Sequence, residues 1–370
     1  MIIKHLKLIN FRNYENLDIN FFPKINIIYG KNAQGKTNLL ESLIYLSLTR
    51  SHRLHNDRKL IRDNCDFADI KCVYEDEYEK EIEAIIHKEG KTLKVRKQPV
   101  KKSSEFIGLL NVVLFSPDDL VIFSDSPSSR RRLVNQEITK VSSLYLNELN
   151  DYQKLLKDRN VLLKSNNIDS YLIDVIDEKM SIDECTILSL RKEFVDIINE
   201  YINDFYNKIS GEDNIVRIKY KTFVDLDKEF TKEYINEVHK SYRSKDLDYR
   251  VSNSGIHRDD FIFYLNDKSV IEMASQGQKR MIMLAFKLSL LKYIERKINK
   301  KPVLLLDDVL SELDIYRQEC LYNIVKNDYQ CFISTTFIPS FIEEEEGIFQ
   351  IEDGRLIGGR LWVIKIMVKS

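Results

Sequence analysis

The sequence predicts an α/β fold in two segments, split by an inserted, mainly helical lobe. Three observations carry this. A glycine-rich loop, Gly30 to Thr37 (GKNAQGKT), stands between a β-branched run, Ile25 to Tyr29, and a helical stripe at Leu39, Leu40, Leu43, Ile44 and Leu46. An apolar run, Pro302 to Leu306, ends in two carboxylates, Asp307 and Asp308, as expected of a central parallel strand. Between these, apolar residues recur at helical intervals from Leu144 to Phe205, interrupted at Ser165-Asn166-Asn167, which predicts two long antiparallel helices. On this pattern residues 1–122 and 251–370 make the α/β head, and 123–250 make the inserted arm lobe.

The head begins with alternation over Ile2 to Phe11 and again over Leu17 to Phe21, a hairpin leading into the glycine loop. After the loop helix, strands are expected at Ala68 to Tyr74, Glu81 to His87 and Thr92 to Val95, with charged turns between them. Val112 to Phe115 is a short buried strand ended by Ser116-Pro117-Asp118-Asp119. Beyond the arm, Val216 to Tyr220 alternates again, Lys232 to Ser244 is a polar helix, and α/β texture resumes from Gly255. Glu343 to Glu346 reads as a solvated acidic face.

Composition removes several classes of function. With 57 Lys+Arg against 58 Asp+Glu the formal net charge is -1, so the chain is not basic overall and any nucleic-acid site must be a local patch. Five cysteines without a C-x-x-C pair argue against a disulfide framework or a zinc site. No run approaches the roughly 20 apolar residues that span a bilayer, and Met1 leads straight into a strand, so a cytoplasmic protein without a membrane segment is expected.

The pattern G-x-x-x-x-G-K-[ST] has a mechanical basis. Glycines let successive backbone N–H groups face phosphate oxygens, and the following helix adds its positive end. Lys36 would reach the β- and γ-phosphates of a nucleotide, and Thr37 would offer its hydroxyl to Mg²⁺. At the end of the second apolar run Asp307 would hold the metal through water, and Asp308 would orient or deprotonate an attacking water. Ser275-Gln276-Gly277-Gln278-Lys279-Arg280 opens another helix and makes a second anion site. One chain cannot easily place both on one phosphate, so a head-to-tail pair of chains is expected, with Ser275 meeting the γ-phosphate held by the partner copy. A helix-capping serine is the simpler alternative at that position.

Ser311-Glu312-Leu313-Asp314 and Ser334-Thr335-Thr336 stand where the ATP-binding cassette class has a dimer-contact loop and a γ-phosphate sensor, and the motif order resembles that class. The inserted arm points to its chromosome-maintenance branch, within which the chain is similar to the RecF family of bacterial recombination and repair proteins. The resemblance rests on Asn10 to Tyr14, Gly30 to Asn38, Arg50 to Arg53, Phe115 to Leu120, Arg130 to Leu133, Tyr152 with Arg159-Asn160, Gly255 to Asp260, Ser275 to Arg280 and Leu304 to Asp314. It implies an ABC-type head with an inserted helical lobe, ATP binding, an ATP-dependent homodimer, slow hydrolysis and binding to double-stranded DNA and single-strand gap junctions. It also implies action with RecO and RecR in loading RecA, with support of replication and the SOS response.

By position, the resemblance implies that Gly30, Lys31, Asn32, Ala33, Gln34, Gly35, Lys36 and Thr37 bind phosphate. Thr37 and Asp307 take the metal, Asp308 serves hydrolysis, Ser275, Gly277 and Gln278 act in trans, and Arg12 lies beside the nucleotide. The sequence departs from the cassette class at large in having Asp308 where glutamate is usual and Thr335-Thr336 where a histidine is usual, as family members also do. No glutamine stands at Ser116-Pro117, Ile256 replaces a proline, and Leu133-Val134-Asn135 replaces Phe-Leu-Asp. The tail from Gly358 to Ser370, with Trp362, runs past the usual family end and reads as a terminal strand or a dispensable extension.

For DNA, the candidate phosphate contacts are Arg50 and Arg53 after the loop helix and Arg130, Arg131 and Arg132 at the arm's base, each with a solvated charged face as the alternative. No aromatic platform for base stacking stands out, so sequence-tolerant, salt-sensitive binding is expected. The competing readings are a transport ATPase subunit, a metabolite kinase and a chromosome-bridging head. The long arm helices and missing switch histidine oppose the first, Ser275 to Arg280 the second, and the short arm the third.

Overall fold

The computed structural model describes residues 1–54, 56–342 and 346–360. In chain order the first elements are β1 (Ile2–Phe11), β2 (Tyr14–Asn20), β3 (Ile25–Tyr29), α1 (Lys36–Leu48), β4 (Phe67–Glu75), β5 (Glu79–His87), β6 (Gly90–Val95), β7 (Gln98–Pro99) and β8 (Val112–Phe115). Then come α2 (Pro127–Thr139), α3 (Ser143–Leu163), α4 (Ser170–Ser210), β9 (Val216–Lys221), α5 (Lys232–Tyr249), β10 (Asp260–Leu265), β11 (Lys268–Ser269), α6 (Val270–Met273) and α7 (Gln276–Ile298). The chain closes with β12 (Val303–Asp307), α8 (Ile315–Val325), β13 (Cys331–Thr335), β14 (Gly347–Glu352) and β15 (Arg355–Arg360).

The chain divides into two units. The first comprises residues 1–119, 208–210 and 290–370, and the second 120–207 and 211–289.

The first unit contains two sheets. One is antiparallel in the order β2-β1-β4-β5-β6-β7, and β4 shows the one-sided alternation of a half-buried strand. The other has the order β15-β14-β3-β13-β12-β8, parallel from β14 through β8, and its strands β8, β12 and β13 are buried at every residue. That is why β12 reads as a continuous apolar run rather than an alternating one. Helix α1 is buried on nearly all sides and packs against β8, β12 and β13 as well as β5, so its leucines serve both sheets. Truncating one of them, Leu43 for instance, removes a fully buried side chain at a cost of about 2–5 kcal/mol.

The second unit holds the arm. The pairings Tyr145–Arg191, Glu148–Asp183 and Arg159–Asp177 run in opposite sequence directions, so α3 and α4 lie antiparallel, as their spacing predicts. Ser142 and Asp169 cap the two helices by accepting from Tyr145 N and Leu172 N, and Gly211 ends α4 in the left-handed conformation.

The boundary at residue 250 is corrected. β9 pairs with β10 in antiparallel register, Val216 opposite Leu265 and Lys221 opposite Asp260, and Arg191 binds Asp259. These long-range pairings draw residues 251–289, with Ser275, Gly277 and Gln278, into the second unit. The acidic run is corrected in part: Glu346 is buried and accepts from the Tyr322 hydroxyl, while Glu343 to Glu345 lie outside the described residues. Of the tail, Gly358 to Arg360 complete β15, and Leu361 to Ser370 lie outside the described residues. Cys72 and Cys331 are buried, and burial pushes both thiols up; Cys65, Cys185 and Cys320 are only partly buried. No helix among the described residues is long and apolar enough to cross a membrane.

Between α3 and α4 an acidic pair makes the arm's stability pH-dependent. Burial first, and then the hydrogen-bonded Glu148 carboxyl, raise Asp183 from 3.8 to about 7, with Asp151 and Glu184 adding to the effect. The folded form therefore holds a proton that the unfolded chain releases near pH 4. The pair's destabilisation is absent below that pH, grows as the pH rises toward 7, and is complete above it. Asp183→Asn, which mimics the protonated carboxyl, should leave the unfolding temperature unchanged at pH 4 and raise it at pH 8. A difference between variant and parent that does not grow over this range counts against the shared proton.

Candidate nucleotide-binding site

Strands β3, β13 and β12 are adjacent and parallel, so their C-terminal ends open on one edge of the sheet, the place where such sheets take ligands. The glycine loop leaves β3 at this edge and enters α1 at Lys36. Gly35 adopts φ 115, and a side chain there would put its first carbon 2.6 Å from Asn13 Nδ2, so the loop can curl only around a glycine. Lys36 folds back over the loop, donating from Nζ to the carbonyls of Gly30 at 2.6 Å and Lys31 at 2.8 Å. Burial lowers its pKa, while Asp308 and then Asp307 act in the opposite sense.

Thr37, Asp307 and Ser334 meet beside it. Thr37 Oγ1 donates to Asp307 Oδ1 at 2.9 Å, and Ser334 Oγ donates to the same oxygen at 2.6 Å. The Asp308 N–H donates to Ser334 Oγ at 2.9 Å and to the Ser334 carbonyl at 3.2 Å. These bonds hold Asp308 at φ 53, a left-handed conformation that a non-glycine residue adopts at a cost, with Oδ1 buried and lacking a hydrogen-bond partner. An orphaned carboxylate oxygen beside a buried lysine is an acceptor set up for a proton or a water.

The donor set fits a nucleoside triphosphate with Mg²⁺. The loop is narrow enough to need glycine, its lysine is inside, and Thr37 and Asp307 are hard oxygen ligands already in contact. Among the described residues no group of three or more His, Cys, Asp or Glu could hold a metal.

On the flank of this site Arg12 turns from β1 at φ 55, and its guanidinium grips Glu41 of α1 in a bidentate pair at 2.8 and 3.1 Å. Glu41, fully buried, also accepts from Ser51 Oγ at 2.5 Å, and Ser51 caps the N–H groups of Arg53 and Leu54. Sequence reasoning missed Glu41, although a glutamate inside an otherwise apolar helix stripe is the signal that could have found it. Arg12 therefore braces the loop helix to the segment carrying Arg50 and Arg53. His52, between those arginines, has its pKa lowered chiefly by burial, and its Nδ1 is buried without a hydrogen-bond partner. Arg50 and Arg53 are exposed.

In the second unit Ser275 and Gln278 bind each other reciprocally: Gln278 N donates to Ser275 Oγ at 3.2 Å, and Ser275 N donates to Gln278 Oε1 at 3.0 Å. This is a capping box at the start of α7, which leaves Ser275 and Gly277 exposed. Of the three arginines at the arm's base, Arg132 is exposed and Arg131 donates to the Asp259 carbonyl at 2.7 Å. The expectation for Arg130 is corrected: it is 4% exposed, and its guanidinium is taken up by both Asp260 oxygens and by the carbonyls of Ile122 and Asp125. Asp260 and burial make it a structural clamp rather than a surface cation.

A phosphate loop, a strand ending in two carboxylates, a helix-opening Ser-x-Gly-Gln and an inserted helical arm together define a head of the ABC type. The RecF/RecN/SMC N terminal domain family matches residues 2–355. Curated relatives named DNA replication and repair protein RecF include those of Clostridium perfringens, 38% identical over 96% of this chain and 99% of the relative, and Agathobacter rectalis, 39% identical over the same shares. A solved structure described as the recombination mediator protein RecF with ATP in the RecFOR pathway superposes with a TM-score of 0.87 at 32% identity, covering 96% of each chain. An Smc head bound to the C-winged helix domain of ScpA, 16% identical with a TM-score of 0.60 over 99% of each chain, shares the fold. The chain belongs to the RecF family.

Proposed function

We propose that this chain is an ATP-driven DNA-binding switch of recombinational gap repair. It binds ATP with Mg²⁺ in the loop Gly30 to Thr37, with Asp307 at the metal and Asp308 at the attacking water. A second copy's Ser275, Gly277 and Gln278 complete the site, so that two copies close over shared nucleotide and hydrolyse it slowly. The observation that carries this reading is the contact of Thr37, Asp307 and Ser334 beside Lys36, with an orphaned Asp308 oxygen next to them. The ATP form of a relative covering nearly the whole chain supports it.

In this reading pairing doubles the basic surface offered to DNA, with Arg50, Arg53 and Arg132 making sequence-tolerant phosphate contacts. Partnership with RecO and RecR is supported by the RecFOR pathway in which the solved relative is described, and the proposal extends it to RecA loading at gaps and to support of replication and the SOS response. The cytoplasm is the matching compartment.

The test is light scattering of the purified chain with and without Mg-ATP and gapped DNA. The parent should double in mass on ATP and bind DNA in a salt-sensitive way. Ser275→Arg places a bulky cation on an exposed capping residue remote in sequence from the loop. It should retain ATP binding within about twofold yet remain monomeric, because the contribution to a second copy is lost while the loss of the α7 cap costs only about 1 kcal/mol away from the phosphate loop. Normal ATP-driven pairing by this variant would remove the in-trans role of Ser275.

A further inference from the structure

Two turns from opposite ends of the sequence close on one residue of the phosphate loop. In the turn between β1 and β2, Asn13 donates from Nδ2 to the Gln34 carbonyl at 2.9 Å, while its Oδ1 accepts from Asn38 Nδ2 at 2.9 Å. In the turn between β14 and β15, the Gly354 N–H donates to that same carbonyl at 3.0 Å, and the Asp353 N–H to Gln34 Oε1 at 2.7 Å. The next carbonyl, Gly35 O, accepts from the Tyr14 hydroxyl at 2.9 Å. Tyr14 is fully buried, and burial raises its pKa, so the phenol stays a donor. Strand β14 reaches this place because it runs parallel to β3 as far as Gln350 opposite Tyr29, where the Tyr29 hydroxyl donates to Gln350 Oε1 at 2.6 Å.

In a trans peptide the C=O and the following N–H point in opposite directions. Two donors on the Gln34 carbonyl and two on the Gly35 carbonyl, the Tyr14 hydroxyl and the Leu39 N–H of α1 at 3.0 Å, thus fix two successive peptide units, and turn the N–H groups of Gly35 and Lys36 to the far side. At a loop that opens a helix, that side is where an anion is received. We infer that Asn13, Tyr14 and the Asp353–Gly354 turn are positioning groups of the phosphate cradle, which aim two of its donors before nucleotide arrives. The inference rests on the proposed ATP site. Gly354 is required for it: at φ 70, a side chain there would bring its first carbon to 2.3 Å from the Asn13 carbonyl oxygen, so only glycine lets the turn come this close. The carbonyl of Gln34, which no phosphate touches, becomes as much a part of the site as the N–H groups that do.

Asn13→Asp tests this, since the isosteric change replaces the donor with a carboxylate oxygen facing the Gln34 carbonyl. Affinities for Mg-ATP and for Mg-tripolyphosphate are measured by titration calorimetry, alongside steady-state hydrolysis. Both affinities should fall by about tenfold, and KM should rise by the same factor with kcat kept within about twofold, because the re-aimed donors hold phosphate alike in ground and transition states. The ligand-free unfolding temperature should move by less than about 2 °C. Gly354→Ala should act in the same direction. Unchanged affinity and KM in both variants would overturn the inference, as would a fall in kcat at constant KM that tracks lost folded protein. A parent chain that binds neither ligand would instead remove the ATP reading, and this inference with it.

Discussion

Lys36→Ala should abolish ATP-driven pairing and lower ATP affinity by about 2–5 kcal/mol, roughly 30- to 4,000-fold. The lysine is 7% exposed and lies inside the loop, bound to the carbonyls of Gly30 and Lys31. Burial already disfavours its charge, and the carboxylates of Asp307 and Asp308 oppose that effect. A triphosphate would replace two neutral carbonyl acceptors with charged oxygens, and the stronger charge-assisted bonds are lost in the variant. Alanine also deprives the two carboxylates of the Lys36 charge that interacts with them, which adds repulsion toward the incoming phosphates. Equilibrium titration with ATP and light scattering under the same conditions check both halves. A Lys36→Ala chain that still dimerises on ATP would detach the loop from the switch altogether.

Arg191→Ala should destabilise the second unit by about 3–5 kcal/mol, lowering its unfolding temperature by the order of 10 °C. Arg191 is 1% exposed and joins four elements. Its guanidinium donates to Tyr145 on α3 at 3.0 Å, to Asn135 on α2 at 3.0 Å, to the Ile256 carbonyl at 2.9 Å and to Asp259 at 2.5 Å. Burial pushes Asp259 up to about 6 even with the arginine present and with Tyr220 donating to it. Without the arginine the carboxylate is buried and uncompensated, so the damage should be greater at pH 8 than at pH 5, where Asp259 takes up a proton. A double variant, Arg191→Met with Asp259→Leu, should recover part of the loss, because an apolar pair avoids the desolvation cost. Calorimetry of the three chains at both pH values decides it. Equal unfolding temperatures for parent and Arg191→Ala would refute the keystone role.

The phosphate loop and the strand ending in Asp307-Asp308 were legible because their chemistry is local. A curl of backbone around phosphate needs glycines at fixed offsets, and a fully buried parallel strand needs an unbroken apolar run. The arm helices were legible for the same reason, since a 41-residue helix repeats its buried face many times over. Arg130 to Arg132 illustrate the opposite case. Three successive arginines look alike in sequence, and only the fold buries Arg130 on Asp260 while leaving Arg132 at the surface.

The sequence by itself thus determined the α/β class, the two signature segments of the proposed nucleotide site and the family to which the chain belongs, because each is written in a short stretch whose spacing carries the physics. Tertiary structure alone decided where the arm unit ends, since that depends on β9 finding β10 and Arg191 finding Asp259 across long separations. It alone brought Asn13 and Gly354 together on Gln34, because a hydrogen bond between residues more than 300 positions apart leaves no periodic trace in either turn.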